Sequence, residues 1–223
     1  MNKRKYAAMW EKSCRRRAEG QAADEEAAII EGVRPLFAEL IELIKDHPDV
    51  GAMLQFIKDH HIEMLLKIYR DALKAEDWTP LHAAAAKSIE HVEALLSIPG
   101  FLLLVNWQSD GGETPLDNAI EHYRDPEEGE EDNGLKIIMA LLREGATDDS
   151  PYEHDSVHPN VTKVLRAHRL FFNMVEAAEP NMEVLNATLA EYPFLATCKK
   201  DGVPVLEYAR QTGAGAEVLA ALR

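Results

Sequence analysis

One short run of residues occurs twice in this chain, 35 positions apart, and an interval of that size restricts the fold more than any other feature. From Asp77 the sequence reads DWTPLHAAAAKSIEHVEALL, and from Gly112 it reads GETPLDNAIEHY, followed after an interruption by LKIIMALLREGATDD. Thr-Pro-Leu recurs, then Ala, then an apolar helical pattern closing on Leu-Leu. A fainter third instance spans FNMVEAAEPNMEVLNATLAEYPFLATCKKDG, with Ala177, Ala178, Asn181, Val184, Leu185 and Leu189 in the same order. A fourth, DGVPVLEYARQTGAGAEVLAAL, brings Leu206, Ala209, Gly213, Val218, Leu219 and Leu222. Units this short cannot bury an apolar face alone, so they stack and share a continuous core.

The residues give local reasons for the pattern. Thr79 and Thr114 are suited to cap helix N-termini, their hydroxyls accepting from free amides, and Pro80 and Pro115 suit a first helical position where no donor is needed. The small residues Ala83 to Ala86 and Ala119 let helices approach closely, and Leu95, Leu96, Leu141 and Leu142 fill the space between units. The pattern resembles the ankyrin repeat, whose period is about 33 residues and whose signature is T-P-L-H-x-A; Thr79, Pro80, Leu81, His82 and Ala84 carry the match. The resemblance implies an all-α, ankyrin-like helical repeat solenoid over residues 76–223, each unit a β-turn plus two antiparallel helices. It also implies a structural role for His82.

Departures from the pattern carry expectations of their own. RDPEEGEEDNG splits the second unit between its helices; it is acidic, with no apolar residue between Tyr123 and Leu135, and predicts an exposed, mobile loop. TDDSPYEHDSVHPN, from Thr147 to Asn160, predicts an irregular link. The third unit lacks Thr-Pro, so its first helix is displaced or extended. Upstream, Pro35 marks a helix start, with Leu36, Phe37, Leu40, Ile41, Leu43 and Ile44 forming an apolar stripe that ends before His47-Pro48. Val50 to Ile57 and Ile62 to Leu73 predict two more short helices, with His60-His61 at their junction as a cap and a surface residue. Residues 24–75 are expected to be an N-terminal helical cap, a degenerate repeat turning a polar face to water.

Charge divides the chain. Lys3, Arg4, Lys5, Lys12, Arg15, Arg16 and Arg17 face Glu11 alone in the first 17 residues, a net of +6, whereas the remaining 17 basic and 38 acidic residues give −21. An acidic body repels phosphates, so contact with nucleic acid or an anionic membrane falls to the basic arm, residues 1–23. KRK and RRR nine residues apart read as a loose bipartite nuclear-import signal, a lipid- or nucleic-acid-binding patch, or one charged face of a helix that docks through Tyr6, Met9, Trp10 and Ser13. The longest uncharged run, Ala94 to Ser109, is 16 residues broken by Pro99, Gly100 and Asn106, too short for an integral membrane segment. The first residues lack the apolar stretch of a classical signal peptide. Cys14 and Cys198 show no paired spacing. These features predict a monomer in a reducing setting: the cytoplasm, a host cell reached by a signal-free route, or the nucleus through the arm.

Chemistry by side-chain constellation is not indicated. No G-x-S-x-G, glycine-rich phosphate loop, H-E-x-x-H or C-x-x-C is present, and nothing places a base or oxyanion site beside Cys198. His154, Asp155 and His158 have a metal-compatible spacing, but Pro151 and Pro159 bracket them in a linker. The expectation is no enzyme, no cofactor and no metal. The aromatics lead elsewhere: Trp78 and Trp107 fall in the turns that the resemblance projects beyond the helices. There they either anchor a partner or pack over the neighbouring turn. With Asp110, Glu113, Asp117 and Asn118 on the same concave side, they are the expected contact set for a protein partner with a basic surface. Isolated, degenerate ankyrin-like chains flanked by unusual helices occur among secreted bacterial effectors, which implies a host-protein partner. The other readings are a regulatory or targeting subunit of an enzyme complex, and a small helical hydrolase or transferase with an unrecognised site.

Overall fold

The computed structural model describes residues 23–69, 78–123, 131–147 and 158–223. The basic arm up to residue 22, with Cys14, lies outside them, as do residues 70–77, most of the acidic insertion, and the link that holds His154 and Asp155. The described chain is mostly helical.

Helix α1, Ala23–Asp46, continues through Pro35, which corrects the expected start there. The proline ring removes one backbone bond, but Pro35 is exposed, so the defect faces water. On the other side Val33, Phe37, Leu40, Ile41 and Ile44 are buried and hold the helix together across it. Asp49 caps α2, Val50–Asp59, by accepting from the Gly51 N–H at 2.8 Å; His60 is its C-cap residue, and α3 is Ile62–Tyr69.

The two Thr-Pro-Leu segments fold alike. Thr79 caps α4, Pro80–Ala85, and Thr114 caps α6, Pro115–His122; in each case the third residue of the helix reaches back to the threonine and closes a capping box, with proline at the first helical position. Each is followed by a second helix that packs on it, α5 at Ile89–Leu96 and α7 at Glu131–Arg143. Helix α7 starts four residues before Leu135, so residues 131–134, expected in a mobile loop, are helical. Tertiary contacts set that boundary. The Asn133 amide oxygen accepts from the Ile89 N–H at 3.1 Å, and its NH₂ donates to the Tyr123 hydroxyl at 3.0 Å. Gly134 lies against the Tyr123 ring so closely that a Cβ there would fall 2.3 Å from Cγ.

Where the first helix of a third unit is expected, the chain forms one long helix. Helix α8 covers Pro159–Glu176, with His158 as N-cap, its Nδ1 accepting from the Asn160 N–H at 3.3 Å; the irregular link therefore ends at His158 and not at Asn160. Ala177 ends α8, and α9 is Met182–Glu191. A 3-10 turn, Pro193–Thr197, leads into a hairpin of β1, Lys199–Lys200, and β2, Val203–Pro204, paired Lys199 to Pro204 and Lys200 to Val203. Its two-residue turn, Asp201 at φ 52° and Gly202 at φ 77°, has the double positive φ that a tight hairpin needs. Helices α10, Val205–Gln211, and α11, Ala216–Ala221, follow where a fourth unit is expected.

Successive units stack as two rows. In one row α1 packs on α4 and α4 on α6; in the other α2 packs on α5 and α5 on α7. Ala84 and Ala119 are fully buried at these contacts, as are Leu95, Leu141 and Leu142. One apolar cluster runs from Val33 to Leu165 and a second from Ala167 to Leu222, so α8 contributes to both, and Tyr192 and Phe194 pack against both.

Candidate protein-binding surface

The surface is built on the polar atoms at the start of α4. Backbone N–H groups only donate, so His82 Nδ1, 3.2 Å from the Thr79 amide nitrogen, is an acceptor; the Thr79 hydroxyl, 2.8 Å away, donates to it as well. The ring proton therefore sits on Nε2, which donates to the Glu113 carbonyl at 3.0 Å. Burial lowers the pKa of His82, against the opposing pull of the Glu113 carbonyl and the Asp117 charge, and keeps the ring neutral. One imidazole thus caps its own helix and ties it to the turn of the next unit.

A match to the family model of the ankyrin repeat covers residues 76–100. Those residues are an ankyrin repeat. No curated protein and no solved structure matches the chain. Ankyrin repeats act as protein-interaction modules, and this one is joined to a following unit of the same build. There Asp117 takes the place of the histidine: one carboxylate oxygen accepts from the Thr114 N–H at 2.8 Å and from its hydroxyl at 2.7 Å. Asn118 completes the junction by donating to the His82 carbonyl at 2.7 Å.

The turn that follows the ankyrin repeat carries Trp107, Asp110 and Glu113, half of the expected contact residues. It closes on itself: Ser109 N–H donates to the Glu113 carbonyl at 2.8 Å, Gly112 N–H to the Ser109 carbonyl at 2.9 Å, and Glu113 N–H to the Ser109 hydroxyl at 3.2 Å. Its tip, Asp110 to Gly112, is exposed. Glu113 is half-buried. Trp107 is half-buried against the larger apolar cluster. Trp78 is half-buried too; its ring stacks on His82 with centroids 6.3 Å apart, and Lys45 Nζ stands 5.7 Å from its centre. Asp117 and Asn118 retain only 7% and 9% of their surface, and their polar groups serve the junction. The expected set therefore divides into residues at the surface and residues beneath it.

Asn106 was not expected. Its NH₂ donates to the Gly145 carbonyl at 2.9 Å and its oxygen accepts from the Thr147 N–H at 2.9 Å, joining the turn beside Trp107 to the turn that ends α7. The signal in the sequence was slight: an asparagine one residue before the tryptophan, where a turn invites it for several reasons. Cys198 is fully buried, and burial pushes its thiol up to about 12, which suits packing and not nucleophilic attack. Among the described residues no three His, Cys, Asp or Glu side chains converge to hold a metal, and no helix is long and apolar enough to cross a membrane.

Proposed function

We propose that the chain is a non-enzymatic protein-binding module that engages a partner with a basic surface through the turn after the first ankyrin repeat. Trp78, Trp107, Asp110 and Glu113 form the contact face, and Asp117 and Asn118 hold that face in place. The observation that carries this reading is the turn from Ser109 to Glu113. Its backbone is fixed by its own hydrogen bonds and by His82, while its acidic tip has no part in the core. Binding to such a turn costs little ordering entropy, and that is the advantage of a preformed surface. Packing of α1 on α4 and of α2 on α5 supports reading residues 24–75 as the end cap of the same solenoid.

Affinity purification with the full chain tests the proposal, run in parallel with Asp110→Lys and Trp107→Ala. A basic partner retained by the natural chain should lose association rate in the lysine variant and with rising salt, and should dissociate faster from the alanine variant by an amount worth roughly 2 kcal/mol. A partner that binds both variants with unchanged affinity would sink the assignment of this face.

A further inference from the structure

A second feature stands apart from the acidic turn. A cavity of about 240 Å³ opens between one face of α8, the turn after α7 and the β1–β2 hairpin. Sites that enclose drug-sized molecules measure roughly 300–1,000 Å³, so this one suits a single side chain. His168 lines it, with 8% of its surface exposed, and its Nε2 is buried without a hydrogen-bond partner. A buried polar atom in that condition is destabilising unless something satisfies it. We propose that this cavity is an anion subsite that takes a carboxylate, that of an acidic side chain on a peptide partner, between His168, Arg169 and Lys200.

The charges around the cavity support an anion of this size. From α8 come Arg169 and Glu176, from the hairpin Lys199, Lys200 and Asp201, and Glu144 stands at the end of α7. Lys199 is paired with Glu144. Lys200 bonds Glu176 at 3.2 Å and lies 5.1 Å from the centre of the Phe172 ring, with 37% of its side chain still in water. The charges that bear on the His168 ring are those of Lys200 and Arg169, which act in the same direction as burial and leave the imidazole neutral down to about pH 4. Lys200 and Arg169, the charges that disfavour the imidazolium, attract an incoming carboxylate, and the carboxylate in turn favours the imidazolium. Glu176 and Asp201 on the rim penalise a dianion more than a monoanion, which selects carboxylate over phosphate. The rim is also continuous with the turn surface, since Gly145 and Thr147 are the two residues that Asn106 holds. Only the peptide as source of the carboxylate rests on the binding reading above.

The test follows the His168 ring by proton NMR across pH in the full chain at fixed ionic strength. Five additives are compared: sodium chloride, sodium acetate, sodium phosphate, and the capped tripeptides Gly-Glu-Gly and Gly-Gln-Gly. Acetate and the glutamate peptide should each raise the His168 pKa by about one unit or more at saturation, and the glutamine peptide and chloride should not. Arg169→Gln should weaken the glutamate peptide by about tenfold, the loss of one charge-assisted contact. An equal response to chloride, or none to acetate, would overturn the subsite. Acetate acting without the glutamate peptide would overturn the peptide source, and inorganic phosphate binding more tightly than acetate would overturn the choice of carboxylate. Failure of the acidic turn to hold a partner would leave these shifts in place, so the two proposals fail separately.

Discussion

His82 shows how much one side chain can hold. It accepts from Thr79 and donates to the Glu113 carbonyl, and its own carbonyl receives Asn118. His82→Phe keeps a ring of similar size but strands the Thr79 amide and the Glu113 carbonyl, so equilibrium denaturation should show a loss of about 2–4 kcal/mol; a loss below 0.5 kcal/mol would mean that the junction is held otherwise. The structural role of this histidine was legible in the sequence because the repeat signature fixes it. The roles of Asp117 and Asn118 were not, because an acid and an amide beside a turn read equally well as surface groups, and only the stacking of two units shows that both are covered. His82, His91 and His168 share a further property: burial is the leading cause that lowers each pKa. Each is neutral in the folded chain while the unfolded chain takes up a proton near pH 6.5, so stability is present above that pH and is lost as pH falls toward the folded values. For His168, lowered to about 4, the loss between pH 6.5 and 4 is about 3 kcal/mol. Urea titrations at pH 7 and pH 4.5 should therefore differ more in the natural chain than in His168→Leu; an identical pH dependence in both would show that this ring does not carry the effect.

At the scale of the element, boundaries followed the sequence where capping chemistry sets them and departed from it where packing does. The starts of α4 and α6 lie at Pro80 and Pro115 as the Thr-Pro pairs require. Pro35 misleads because a proline's local rule describes the backbone alone, and the buried stripe from Val33 to Ile44 outweighs one lost bond on a wet face. The start of α7 is hidden for the opposite reason: Glu131, Asp132, Asn133 and Gly134 have no apolar period, and what recruits them is Tyr123 and the Ile89 amide across the unit. Gly134 makes this testable in a direction that propensity alone gets wrong. Within a helix, Gly→Ala ordinarily stabilises by up to about 1 kcal/mol. Here the new methyl would lie 2.3 Å from Cγ of the buried Tyr123 ring, and overpacking of that kind costs about 1–3 kcal/mol. Gly134→Ala should thus lower the melting temperature, and a higher one would show that Tyr123 moves aside freely.

Over the whole molecule, the charge difference between arm and body sets the sign of long-range attraction, and the division of the core sets how far a local defect spreads. The acidic turn rests on the first cluster, while the cavity beside His168 is lined from both, by Ala146 of the first and Phe172 of the second, and α8 with Tyr192 and Phe194 joins the two. In a stack of repeats each unit holds its neighbours, so damage at one end should spread by interfaces and not at once through the whole chain. Phe171 is fully buried in the second cluster, edge-to-face with Phe172 at 5.2 Å. Phe171→Ala should cost about 3–5 kcal/mol there. By native-state hydrogen exchange, amides of α9, α10 and α11 should then open about a hundredfold or more faster, while those of α4 and α6 change little. The functional consequence divides along the same line. The variant should lose the carboxylate response at His168 and keep the salt-dependent capture of a basic partner by the turn at Asp110. Equal acceleration of all protected amides would instead show a single cooperative unit, and both binding properties would then be lost together.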